Sequence, residues 1–172
     1  MKRIIAVAAL AASFATTASA QTSQPADWVI LNFTANLNKN IDVAWERMGG
    51  NDLCAIQKFL DISCAVVSGK GEVGSIRHVQ LSTAAPGAAP IVENIVARSK
   101  YSYTYAQPFT PIFYHGTMSI EALSPTTSRL HYVLIWNQAA GGDAAAQAAS
   151  RASRQTRFQA AVDEMAAAAN AP

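Results

Sequence analysis

The chain has 172 residues, of which 51% are apolar and only 14% charged, with a formal net charge of +2. That is one domain's worth of chain, long enough to bury a core without metal staples. The low charge and apolar richness argue against intrinsic disorder, although alanine-rich tracts at both ends inflate the apolar figure.

In chain order, the first segment carries an export signature. Lys2 and Arg3 precede an apolar run from Ile4 to Phe14, and Ala18-Ser19-Ala20 forms a small-residue cleavage site before Gln21. The apolar run falls short of the roughly 20 residues that span a bilayer. Residues 1–20 are therefore expected to be a cleaved signal peptide and 21–172 a single domain, periplasmic or secreted, with no stable membrane insertion after cleavage. Without Lys2 and Arg3 the 13 basic residues become 11, matching the 11 acidic ones. A neutral total points to neither nucleic acid nor an acidic membrane as partner. In an oxidising compartment the two cysteines, Cys54 and Cys64, read as a disulfide; they lack the Cys-x-x-Cys spacing of a redox or metal pair.

Trp28 to Leu37 alternates, with Val29, Leu31, Phe33 and Ala35 on one side, which predicts a strand. The period then changes: Ile41, Ala44, Trp45 and Met48 recur at helical steps until Gly49-Gly50. Asn51 or Asp52 is placed to cap a second short helix through about Phe59. Six strands follow, at Ser63–Val67, Val73–Leu81, Ile91–Arg98, Tyr101–Gln107, Ile112–Ala122 and Arg129–Asn137, separated by glycine, proline and serine breaks. The connections are too short for crossover helices, so the strands form an antiparallel meander. Asp143 is a suitable N-cap for a long helix to about Ala169, in which Phe158, Ala161, Val162 and Met165 recur at helical spacing. Arg151, Arg154 and Arg157 form a second row, expected to be a solvated face. The fold class is α+β. A curved antiparallel sheet of seven strands, with two short helices after the first, wraps around a long C-terminal helix too slim to fill its concave face. A cavity suited to apolar ligands follows.

Gly69-Lys-Gly71-Glu-Val-Gly74 matches a dinucleotide-binding string, but a strand, not a helix, is predicted after it, so it reads as a strand connection. His78, His115 and His131 are scattered without metal-ligand spacing and read as surface or edge residues. Neither a nucleophile elbow nor a carboxylate pair appears, and the sequence offers no catalytic residue, metal or cofactor site. The informative pattern is polar and aromatic. Arg77 shares a strand face with Val79 and Leu81, Glu93 with Ile91 and Ile95, and Tyr101, Tyr103 and Tyr105 lie on one face, with Tyr114 beyond the next turn. Either these residues build a structural ion pair and an aromatic core, or Arg77 and Glu93 orient a ligand's polar group while the tyrosines pack its body.

Together, Val43-Ala-Trp-Glu-Arg-Met48, Cys54-Ala-Ile56, Cys64, Gly71-Glu-Val-Gly-Ser-Ile-Arg77, Ile91-Val-Glu93-Asn94, Tyr101-Ser-Tyr-Thr-Tyr105 and Tyr114-His-Gly-Thr117 resemble the SRPBCC superfamily. The likeness is to its exported polyketide cyclase/dehydrase-like members. That superfamily includes START lipid-binding domains, birch-pollen-allergen-like proteins, abscisic-acid receptors and aromatic cyclases. The resemblance implies the helix-grip fold, with a hydrophobic cavity beneath the last helix. It points to Arg77, Val79 and Glu93 as pocket residues and to the Thr83–Pro90 loop as a gate. With Tyr103, Tyr105 and Tyr114, and with Phe158, Val162 and Met165 of the last helix as walls, the expected partner is a small apolar or amphipathic molecule. A cyclase or dehydratase using the same cavity is the rival. A Glu93 carboxylate held by Arg77 is a poor proton donor for such chemistry.

Overall fold

The computed structural model describes residues 26–172; the predicted signal peptide lies outside the described residues. Strand β1 (Trp28–Leu37) is followed by helix α1 (Ile41–Arg47) and a single 3-10 turn (Ala55–Lys58). Strands β2 (Ile62–Ser68), β3 (Ile76–Leu81), β4 (Ile91–Ser99), β5 (Ser102–Ala106), β6 (His115–Ala122) and β7 (Ser128–Asn137) come next, then helix α2 (Ala144–Asn170). The strands form one antiparallel seven-stranded sheet in the order β1-β7-β6-β5-β4-β3-β2. The meander from β2 to β7 is completed when β1 pairs with β7, setting Phe33 opposite Tyr132.

Alternation decides which way each strand faces. On β7, Leu130, Tyr132, Leu134 and Trp136 are buried while the residues between them are half-buried on the outer side. Helix α1 starts where the Asn40 side chain accepts a hydrogen bond from the Val43 amide at 2.9 Å, and it buries Ala44 and Trp45. Gly50 lies flat against the Trp45 ring, where a Cβ would come within 2.2 Å of ring carbons. The second short helix is reduced to one 3-10 turn, because Asp52 spends its carboxylate on the Cys54 amide at 2.8 Å and Cys54 is bonded to Cys64 on β2. With the entering backbone held at both points, i to i+3 bonds close the turn and no α-helix propagates. The predicted disulfide is therefore present.

Two strands start three residues later than their patterns suggest. β3 starts at Ile76 rather than Val73, since Gly71 and Gly74 have φ of 107° and 91° and break the extended run. β6 starts at His115 rather than Ile112, after Phe113 at φ 49°.

Helix α2 begins at Asp143, whose carboxylate accepts from the Ala146 amide at 2.9 Å. Its far end is held by Arg47 of α1, which donates to the carbonyls of Ala169, Ala171 and Pro172. Only its second half is buried, through Phe158, Ala161, Val162, Met165 and Ala169. The helix packs chiefly on β1, α1 and β7. This off-centre placement leaves the concave face of β3 and β4 without close helical cover.

Candidate functional site

The sheet register puts Arg77 on β3 directly opposite Glu93 on β4. Their side chains meet at 2.8 Å, Arg77 Nε donating to Glu93 Oε2, with only 1% and 4% of the two residues exposed. Such burial is tolerated because the two charges are paired with each other and each makes a further hydrogen bond. Arg77 also donates through Nη1 to the Leu53 carbonyl, while the second Glu93 oxygen accepts from Gln107 Nε2 at 2.9 Å. The guanidinium lies 4.6 Å from the Tyr105 ring centre and 5.7 Å from that of Tyr103. Burial opposes the Arg77 charge, but the surrounding tyrosines and Glu93 outweigh it and hold the guanidinium firmly protonated.

A ladder of rings runs from this pair across the sheet. Centroids are 6.5 Å apart from Tyr103 to Tyr105, 6.2 Å from Tyr105 to Tyr114 and 6.4 Å from Tyr114 to Trp136. The Tyr105 and Tyr132 hydroxyls share a hydrogen bond of 3.0 Å. Burial pushes the Tyr103, Tyr105, Tyr114 and Tyr132 hydroxyls above the ordinary phenol range, so all four are neutral donors and acceptors at physiological pH. Gly116 on β6 faces Tyr105 in the register, and a Cβ there would stand 2.2 Å from its ring. The absent side chain is what lets the Tyr105 ring lie across the neighbouring strand.

Between this polar floor and α2 is a cavity of about 120 Å³. It brings together Arg77, Val79, Glu93, Tyr105, Tyr114 and Phe158, six of the residues singled out in the sequence. Tyr103 and Val162 are not among the lining residues. Tyr103 sits farther along β5, its ring 6.4 Å from that of Trp45 and its hydroxyl against Met118 Sδ. Val162 and Met165 lie past Phe158, where α2 is pressed into the core and both are fully buried. The Thr83–Pro90 loop likewise stands outside the lining.

Four polar lining residues escaped the sequence reading: Gln107, Tyr132, Arg154 and Arg157. Gln107 is two residues after Tyr105, hence on the same face of an extended chain, and Arg154 is four before Phe158, hence on the same helical stripe. The arginine row is thus not simply a solvated face. Arg154 is half-buried, its guanidinium 4.9 Å from the Trp136 ring centre and 5.4 Å from that of Tyr114. Desolvation lowers its pKa from the ordinary guanidinium value. Arg151 donates to Gln138 Oε1 at 2.7 Å, and Arg157 is exposed at the cavity rim.

The remaining motifs are structural. The glycine string closes the connection from β2 to β3 and is followed by a strand. His131 Nε2 bonds Glu121 at 3.0 Å and His115 Nδ1 bonds the Phe113 carbonyl at 2.8 Å, both histidines being half-buried.

No family model and no curated protein matches the sequence. Solved structures do match. The Zhui aromatase/cyclase from Streptomyces sp. R1128 superposes with a TM-score of 0.66 over 83% of this chain and 94% of that one, at 14% identity. A norcoclaurine synthase point mutant from Thalictrum flavum, in complex with a transition-state analogue, gives 0.64 over 86% and 97%, at 9% identity. A structural-genomics protein from Nitrosospira multiformis gives 0.59 over 81% and 94%, at 15% identity. The chain shares the helix-grip fold of these structures.

Proposed function

We propose that the chain is an exported protein that binds a small apolar or amphipathic molecule in the cavity between the sheet and α2. The observation that carries this reading is the cavity's construction. Isoleucines, Val79 and Phe158 supply apolar walls, whereas Glu93 and Gln107 on its floor and Arg157 at its rim supply polar contacts. The space of about 120 Å³ suits a single ring or a short branched chain, by analogy with an apolar cavity of about 150 Å³ that holds benzene. A larger ligand is accommodated by displacement of the exposed first half of α2, which has few apolar side chains to hold it. The Cys54–Cys64 disulfide supports an oxidising compartment and therefore export.

The names of two structural neighbours denote enzymes, and a cyclase or dehydratase in the same cavity is the second reading. What weighs against it is the state of the candidate proton carriers. Glu93 is spent on Arg77 and Gln107, and the tyrosine hydroxyls are held neutral by burial.

Titration with an apolar naphthylamine fluorophore tests binding. Saturable fluorescence gain is expected, competed by free aromatic acids, and lost in an Ile91→Trp variant that fills the cavity while preserving the fold by circular dichroism. A linear signal that Ile91→Trp leaves untouched refutes the proposal. Mass spectrometry of protein from the exporting host is expected to find a mature chain beginning at Gln21.

A further inference from the structure

A second feature lies beside the cavity. The connection between β5 and β6 runs Gln107-Pro-Phe-Thr-Pro-Ile-Phe-Tyr114, and two of its aromatic side chains point to solvent, with Phe109 81% and Phe113 58% exposed. A mobile loop would fold such rings back on the protein, but this one is braced. The Gln107 amide donates to the Tyr114 carbonyl at 2.9 Å, the Thr110 hydroxyl to the Gln107 carbonyl at 3.1 Å, and the Asn137 amide to the Ile112 carbonyl at 2.8 Å. Phe113 itself is held at φ 49°, a backbone region unfavourable for a bulky residue. Local strain that keeps an apolar ring in water points to a surface that receives it.

The same end of the molecule gathers further groups of the matching kind. Trp28, 52% exposed, faces Asn137 in the β1–β7 register, and Asn137 is the residue bonded to the loop. Beside them, Arg151 reaches Gln138, Arg154 lies over Tyr114 and Trp136, and Arg157 stands at the rim. Two acidic groups share this end, Asp27, bonded by the Gln138 side chain at 2.6 Å, and Asp143, which caps α2; their donors are neutral, so against the three arginines this end keeps a net positive charge. Exposed aromatics flanked by arginines are the chemistry of a lipid–water boundary, where rings sit at headgroup depth and guanidinium groups meet phosphates. A neutral charge total conceals this, because it is the clustering that matters.

We propose that this end, formed by the Phe109–Phe113 loop, Trp28 and the Arg151–Arg154–Arg157 row, docks the protein on an anionic phospholipid surface. Attachment is peripheral; among the described residues no helix is long and apolar enough to cross a membrane. Gln107 and Tyr114, which close the loop, also line the cavity, so docking brings the cavity rim to the bilayer. The docking stands without the ligand proposal.

Co-sedimentation with vesicles of phosphatidylethanolamine and phosphatidylglycerol, against vesicles of phosphatidylcholine alone, tests it. Binding is expected to the anionic vesicles, to weaken in high salt, and to fall about tenfold for each phenylalanine removed in Phe109→Ser and Phe113→Gly. Phe113→Gly also relieves the strained φ, so its thermal midpoint is expected to hold or rise while vesicle binding falls; lost binding is then not lost folding. Arg151→Glu is expected to weaken binding to anionic vesicles alone. The Ile91→Trp variant is expected to bind vesicles normally whether or not it binds the fluorophore. Vesicle binding that survives in the doubly substituted loop overturns the proposal. So does a dimer in sedimentation velocity that Phe109→Ser dissociates, since the loop then serves a second copy of the chain.

Discussion

The concave face of the sheet has two halves built to different rules. Over β7 and β1 it meets the second half of α2, where Phe158, Ala161, Val162 and Met165 interlock with Phe33, Leu130 and Tyr132 and nothing polar is needed. Over β3 and β4 the helix is farther off, and the sheet there bears Arg77, Glu93 and the cavity. One helix crosses both halves, yet its side chains change character at Phe158, from an arginine row before it to a continuous apolar stripe after it. Polarity is matched across the gap. Where the helix brings aliphatic groups the sheet is dry, and where it brings guanidinium groups the sheet offers aromatic faces and a hydrogen-bonded ion pair.

The tyrosine ladder spans the border, which makes alkaline stability the largest expected effect. In the folded protein Tyr103, Tyr105, Tyr114 and Tyr132 have raised pKa values, so above the ordinary phenol value they keep protons that the unfolded chain has released. The unfolded state then binds fewer protons than the native one, and stability falls as pH rises: it is complete below about pH 10 and lost above it, by about 1.4 kcal/mol per pH unit for each tyrosine. Urea unfolding across that range, with phenolate absorbance followed in parallel, should show these hydroxyls ionising only as the chain unfolds. If the cavity-lining Tyr105 and Tyr114 ionise in the folded state, the polar half is wetter than its geometry implies.

A slightly smaller effect isolates the ion pair. Glu93→Ala strands Arg77 in a site where it is 1% exposed, and the expected destabilisation is about 3–5 kcal/mol. Replacing both partners by Arg77→Met with Glu93→Leu should restore most of that loss, because removing a matched pair deletes its desolvation cost as well. A chemical-denaturation comparison of the single and double variants reads this directly. A double variant as unstable as the single one would mean that the Leu53 carbonyl and Gln107, left unpartnered, matter more than the charges.

Much of this division was open to sequence reasoning, and the limit is physical. Period-two alternation identified β1 to the residue, and the Phe158 stripe with the Asp143 cap placed α2 to within a residue or two, since both are local signals. Alternation also put Arg77, Glu93 and Tyr105 on the concave face, because strand faces are determined by parity. It did not separate Tyr103 from Tyr105, which share a face but lie at different distances from the helix. That distance is a tertiary quantity, set by how α2 leans toward β1. The same lean half-buries Arg154, which reads as part of an outward row when set beside Arg151 and Arg157 and as part of the inward stripe when set beside Phe158. Backbone strain at Phe113 and the glycines before β3 shortened two predicted strands, for conformations that hydrophobic pattern does not encode.

The smallest expected effect bears most directly on the matching of polarity. Arg154 sits at the border, its aliphatic stem and guanidinium covering Trp136 and Tyr114, its donors directed to the Ser150 carbonyl and hydroxyl one turn back. Arg154→Ala removes that cover, and a loss of about 1 kcal/mol is expected from the cation–π contacts and packing. Arg154→Leu keeps apolar cover over the rings and should remain within about 0.5 kcal/mol of the parent, because a helical leucine replaces stem contacts and the arginine is already partly desolvated. The two variants therefore separate cover from charge. If Arg154→Leu is as unstable as Arg154→Ala, the guanidinium itself is what closes the polar half. If it is equal to the parent in stability but loses affinity for anionic competitors of the fluorophore, the arginine serves the cavity rather than the fold.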